Sequence, residues 1–298
     1  MRAVIEAVGR SAPSALRKPS SIGLAAEAGR RALDAVGDPG AVDLMLSVGV
    51  YHDDHVCEPA LAPLIQRRIP PLARRKDVFS FDIANGACGL VDALRVIDAY
   101  VQAGTVRRAL LVAADVDPTP GRSKGLSVGA AGVAVVVGAR DASEGFLDFH
   151  AETFPKHGHL YESRLGWLGP GRTGWLRRPR GHAVTVHTSE AYAERCVESA
   201  ALATAHFLEA RGLAVDDLDL LIVPNAPPDL PTRLAELLGV PGDRLVQCAD
   251  SAGTCSAAPG LALEAAFASG RLACARHVLL VAVGSGISVS LALYGRDR

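Results

Sequence analysis

Cys88 is the side chain most worth weighing for covalent chemistry, against the competing reading of a small buried residue at a helix start. It stands in Asn85-Gly86-Ala87-Cys88-Gly89, between an apolar run ending at Ile83 and an amphipathic run beginning near Ala87. A cysteine at a strand-to-helix turn meets backbone N–H groups and the positive end of a helix dipole, which together favour the thiolate. The other cysteines, at 57, 196, 248, 255 and 274, form no C-x-x-C pair. A zinc ribbon and a thioredoxin-type motif are therefore both excluded, and small buried hydrophobes are expected. His52, His55 and Cys57 lie close together in YHDDHVC, and His157 and His159 in KHGH. Neither group has two ligands one helical turn apart and an identified third, so solvated loop histidines are expected, with no metal.

Gly125-Leu126-Ser127-Val128-Gly129 fits G-x-S-x-G, the nucleophile elbow of α/β-hydrolases. An elbow needs a strand before the serine and a helix after it. Here the loop DPTPGRSKG precedes and the strand-like AGVAVVVG follows, which argues against a hydrolase. Two basic groups could attract an acidic partner: Arg67-Arg68 with Arg74-Arg75-Lys76, and Arg172, Arg177, Arg178 and Arg180 around Trp175. Solvated helix ends are the competing reading of both.

These residues must be held by regular elements, and the chain supplies them. It has 298 residues, 49% hydrophobic and 21% charged, as a chain with a large core requires. A net charge of −1 argues against broad electrostatic binding to nucleic acid or to a membrane surface. Apolar runs such as Val133–Val137 and Val278–Val283 fall far short of the roughly 18 residues needed to span a bilayer. With no leader-like start, the expected location is the cytoplasm.

Short apolar runs alternate with amphipathic ones. Strands are expected at Ala3–Val8, Val42–Val50, Val78–Ile83, Ala109–Ala114, Ala131–Val137 and Phe146–Phe149, with helices at Ser21–Val36, from Pro59, and over Ala87–Ala103. The pattern lapses over His157–Arg180. It resumes with a long helix over Val184–Arg211, then Asp219–Pro224, Pro231–Leu238, Leu245–Cys248, Ala257–Ser269, Val278–Val283 and Ile287–Leu293. VDLMLSVGV, a helix, VFSFDI, a helix and ALLVAADV are echoed by LDLLIVPN, a helix, RLVQCAD, a helix and VLLVAVGS. One duplication gives two α/β halves, 1–156 and 181–298, joined by an excursion over 157–180.

Four segments in this order resemble the thiolase superfamily, in its 3-oxoacyl-ACP synthase III (ketosynthase III) branch. They are Phe81–Gly104, Asp219–Asn225, Gly253–Leu263 and the closing GSGISVSLAL. The resemblance implies an α/β thiolase-like fold, its duplicated halves packed pseudo-symmetrically in α-β-α-β-α layers. It also implies work on an acyl thioester or acyl carrier protein, no cofactor, and a dimer pairing Val78–Ile83 across its axis. The family condenses an acyl thioester with malonyl-ACP through a Cys, a His and an Asn.

A gapless match sets Asp82 and Gly89 on the family's aspartate and glycine, which puts Ala87 at the nucleophile position and Cys88 one residue late. Asn225 falls at the histidine and Thr254 at the asparagine. The family's Trp-Ile-x-x-Arg-Thr-Gly segment, which helps hold the coenzyme A nucleotide, is absent. Three functions stay open: a catalytically degenerate subunit supporting an active ketosynthase in fatty-acid or polyketide-type biosynthesis, an active synthase or acyltransferase using Cys88 on a rearranged turn, and a non-catalytic acyl- or carrier-protein-binding module. A heterodimer would use Tyr51–Glu58 and Asp117–Lys124 as contacts.

Overall fold

The computed structural model describes residues 1–16, 18–56, 58–167, 181–248 and 253–296. Apolar residues on both faces of the central strands force a covered sheet. In β4 (Arg108–Asp115), Ala109, Leu111 and Ala113 face one core cluster and Leu110, Val112 and Ala114 another. β11 (His277–Gly284) divides the same way, Val278, Leu280 and Ala282 against Leu279, Val281 and Val283. A period of two with both faces buried requires helices above and below.

The helices are there. α1 (Ser21–Asp34) and α2 (Leu61–Gln66) cover the first sheet, and α4 (Tyr192–Arg211) and α5 (Leu230–Leu238) cover the second. Between the sheets lie α3 (Gly89–Gln102) and α6 (Ala258–Ala268), whose buried residues share one cluster with strands of both. The layers are therefore α-β-α-β-α, the thiolase-like α/β fold expected. A one-turn helix, α7 (Arg271–Cys274), precedes β11.

The duplication is written in the strand order. β1 (Arg2–Ser11), β2 (Leu44–Val48), β3 (Phe79–Ile83), β4 and β5 (Ala131–Arg140) form a sheet ordered β1-β5-β4-β2-β3. β6 (Glu144–Thr153), β9 (Leu220–Ile222), β10 (Leu245–Val246), β11 and β12 (Ser288–Arg296) form one ordered β10-β9-β11-β12-β6. Read from opposite ends these are the same sheet. β2 runs parallel to β3 and β4, as β9 does to β10 and β11; β4–β5 and β11–β12 are antiparallel. One device repeats side chain for side chain. Asp43 accepts the backbone N–H of Arg107 and Arg108 at the foot of β2, and Asp219 that of Arg276 and His277 at the foot of β9.

Two sequence expectations need correction. The strand at Phe146–Phe149, placed with residues 1–156, is part of β6 and pairs with β12 in the second sheet. It is the counterpart of β1, so the second repeat begins before the excursion. The helix expected from Val184 starts only at Tyr192; His182–Thr188 is β8, an antiparallel partner of β7 (Tyr161–Trp167). The alternation in His-Ala-Val-Thr-Val-His-Thr is a strand's, and β-branched residues favour it. Arg172, Trp175, Arg177, Arg178 and Arg180 lie outside the described residues, as does Cys57.

α1 approaches β1 so closely that a side chain would not fit between them. A Cβ on Gly9 would lie 2.6 Å from both the Ala28 carbonyl oxygen and the Ala32 nitrogen. Gly9→Ala is expected to lower stability by about 1–3 kcal/mol, read from urea unfolding, because only a backbone shift relieves such a contact.

Candidate functional site

The carboxyl ends of the central strands of both sheets, the turns before α3 and α6, and β7–β8 converge on one cavity of about 410 Å³. Its wall includes Ala87, Asn225, Gly253 with Cys255, and Ser285, one or more residues from each of the four regions singled out from sequence. Ser127 lines it as well, from a loop that leads into β5 rather than into a helix, so no nucleophile elbow is formed.

Each half contributes a 3₁₀ turn that opens into a middle-layer helix. Gly86–Cys88 precedes α3, and Cys255–Ala257 precedes α6. Gly86 takes φ +51° to make the first turn, and Cys255 takes φ +35°, a conformation side chains rarely adopt. In the first turn Ala87 meets the cavity and Cys88 does not. Cys88 is 0% exposed and sits against Gly284. Its thiol points to the carbonyl oxygens of Ser288 (3.3 Å) and Ala282 (3.6 Å) in the second half. Burial pushes the Cys88 thiol up to about 12, and the Asp92 carboxylate adds to the shift.

With that value only about one Cys88 in ten thousand is a thiolate at pH 8. Native-state alkylation at pH 8 followed by peptide mapping is expected to mark the exposed Cys274 and leave Cys88 unmodified. The Cys88 rate rises with pH until about 12, since a raised pKa withholds the thiolate below it.

Asn225 reaches the cavity wall from the turn after β9, and its Oδ1 accepts the backbone N–H of Asp229 (3.0 Å) on the way into α5. Thr254, expected at the site, is only 2% exposed; its neighbours Gly253 and Cys255 line the cavity instead.

Cys255 is a cavity thiol that sequence reasoning passed over. Burial and the nearby Asp115 carboxylate hold it in the neutral form. Asp115 itself is 0% exposed and ties the halves together. Its Oδ1 accepts from the backbone N–H of Val50 and Tyr51 (2.8 Å each) and its Oδ2 from Ser256 (2.9 Å). A carboxylate ending the apolar run Ala109–Ala114 was a legible signal. Tyr51, Tyr161 and Tyr192, which also line the cavity, carried none.

His159 is exposed, as expected, but His52 and His55 are not the solvated groups expected. His52 and His55 are half-buried, and His52 Nδ1 and His55 Nε2 are enclosed without a partner among the described residues. Burial lowers the His52 pKa against the pull of Asp115, Asp82 and Asp53. Among the described residues no group of three could hold a metal. In the basic string, Arg75 is spent on Asp77 (2.6 and 2.9 Å) and the Gly40 carbonyl.

Residues 81–155 match the family model of 3-oxoacyl-[acyl-carrier-protein] synthase III, and residues 208–295 match the model of its C-terminal part. The chain belongs to the 3-oxoacyl-[acyl-carrier-protein] synthase III family. It is 31% identical over 278 residues to the β-ketoacyl-[acyl-carrier-protein] synthase III of Alkalilimnicola ehrlichii, covering 91% of this chain and 82% of that one. It is 32% identical over 269 residues to β-ketoacyl-[acyl-carrier-protein] synthase III 2 of Streptomyces coelicolor, covering 89% and 76%. Among solved structures, the synthase III of Aquifex aeolicus superposes with a TM-score of 0.77 at 19% identity, covering 99% of this chain and all of that one. The priming β-ketosynthase of the R1128 polyketide pathway gives 0.78 at 21%, covering 99% and 97%. At such identities these structures speak for the fold alone. In this fold the turn before α3 presents the Ala87 methyl group to the cavity.

Proposed function

We propose that this synthase-III-type protein binds an acyl thioester, free or on a carrier protein, without forming an acyl-enzyme at Cys88. It serves as a subunit beside an active condensing chain in fatty-acid or polyketide-type biosynthesis. One observation carries the reading: Ala87 faces the cavity, while Cys88 turns its thiol to the Ser288 carbonyl on the far side of the turn. One residue along a helical turn rotates a side chain by about 100°, enough to move a thiol from cavity to core. Asn225 has no titratable imidazole nitrogen, and Thr254 is buried and carries no side-chain amide, so the two do not reproduce the family's enolate-stabilising pair.

The dimer would use β3, at an edge of the first sheet. Phe79 there is 56% exposed and touches Phe81, ring centroids 5.0 Å apart. An open, apolar strand edge invites pairing. Calorimetric titration with butyryl-pantetheine tests the binding. Co-expression with an intact ketosynthase-III-like chain, followed by size-exclusion chromatography, tests the partnership. Separate elution with the partner's activity unaltered removes the subunit role, and a stable monomer in light scattering removes the dimer.

An active acyltransferase is the second reading, favoured by Cys255 in the cavity wall. Its thiol is kept neutral by burial and Asp115, which makes it a poor nucleophile. An acyl adduct mapped to Cys255 would replace the first reading with this one.

A further inference from the structure

A second cavity of about 590 Å³ adjoins the first, and the two share Val50, Tyr51, Tyr161 and Ser285 as a common wall. The first is walled largely by side chains such as Ala87, Val128, Val186, Pro227 and Val283. Beyond the tyrosines the lining changes character: His159, Glu162 and Ser163, with Gly158 and Gly286. The Tyr51 hydroxyl lies 3.3 Å from that of Tyr161 and donates to Ser163 Oγ at 3.1 Å.

Three hydroxyls carry three O–H donors and six lone-pair sites, and two contacts among themselves leave most of that capacity unused. Burial, with the Tyr51 hydroxyl beside it, pushes the Tyr161 phenol up, so it stays protonated and able to donate. Water occupies such positions in solution. An alkyl group entering the cavity would strip that water and return no hydrogen bond, whereas a hydroxyl group returns one donor and two acceptor sites. A carboxylate would meet that of Glu162, and no Lys or Arg stands among the described lining residues to offset the repulsion, Arg164 being paired with Glu162 at 2.6 Å.

We infer that the second cavity selects an acyl group bearing a hydroxyl substituent over a plain alkyl or a carboxylated one. This rests on the reading of the protein as an acyl-thioester binder and names the chemical class of its acyl group. The thioester end lies in the apolar cavity by Ala87, and the substituent reaches past Tyr51 and Tyr161 toward Ser163.

Calorimetric titration of the full chain with butyryl-, hydroxybutyryl- and succinyl-pantetheine tests it. The hydroxybutyryl thioester is expected to bind about fivefold more tightly than the butyryl, and the succinyl most weakly. In Tyr161→Phe and in the surface variant Ser163→Ala the hydroxybutyryl-to-butyryl ratio should fall below about twofold. Butyryl binding as tightly as hydroxybutyryl, or a ratio untouched in both variants, overturns the inference and leaves the acyl-thioester reading intact. If none of the three thioesters binds, both fail.

Discussion

Offered an acyl thioester, the Ala87→Cys variant gains the mass of one acyl group per chain, while the unaltered protein keeps its own mass. Ala87 occupies the cavity wall in the 3₁₀ turn Gly86–Cys88, immediately before the 14-residue helix α3. A thiol placed there meets open space, the turn's backbone amides and the positive end of the helix, the conditions under which a cysteine ionises near neutral pH. Cys88 stands beside the same helix start but is fully buried against Gly284, and that burial keeps it protonated up to about 12. Cys88→Ala in the same background should leave the adduct in place. Intact-mass spectrometry and peptide mapping read both results. No adduct on Ala87→Cys, or an adduct on Cys88 of the unaltered chain, would sink the account of the turn. Condensation should remain low even with the new thiol, since each missing oxyanion donor costs about a hundredfold to a thousandfold in rate.

Asp115→Ala is expected to remove about 3–5 kcal/mol of stability and to open the cavity wall. The carboxylate is fully buried and is the shared acceptor for amides of Val50 and Tyr51 in one half and Ser256 in the other. Truncation leaves these donors without a partner in a low-dielectric setting, where each orphaned group costs about 1–3 kcal/mol. Asn at this position keeps the volume but offers one carbonyl oxygen in place of two, so Asp115→Asn should fall between. Urea denaturation measures both. A loss under about 1 kcal/mol for Asp115→Ala would show that the two halves are held at the site by something else.

Both effects turn on a distinction the sequence draws only in part. The duplicated order of strands and helices was legible because it depends on local patterning. Runs such as Ala109–Ala114 and Val278–Val283 are apolar throughout, which only a sheet covered on both faces tolerates. Boundaries in the middle of the chain were less legible. The Val184–Arg211 run mixes β-branched residues, then alanines, and the switch from β8 to α4 is fixed by pairing with Tyr161–Trp167, a partner some twenty residues away. Likewise β6 reads as the next strand of the first half until β12 claims it.

The residue types at Ala87, Asn225 and Thr254 are matters of sequence alone, and so is the one-residue offset of Cys88. Where each side chain points is a property of the fold. Cys88 turns inward because Gly284, in a strand two hundred residues later, leaves a hollow against which its sulfur packs. Cys255 and the three tyrosines reach the cavity from four separate elements, and no periodicity within one element records that convergence. Local hydrogen bonding and hydrophobic spacing determine elements from within a few residues. A cavity is the space left when distant elements pack, so its lining, its polarity and the direction of its thiols were decided only in three dimensions.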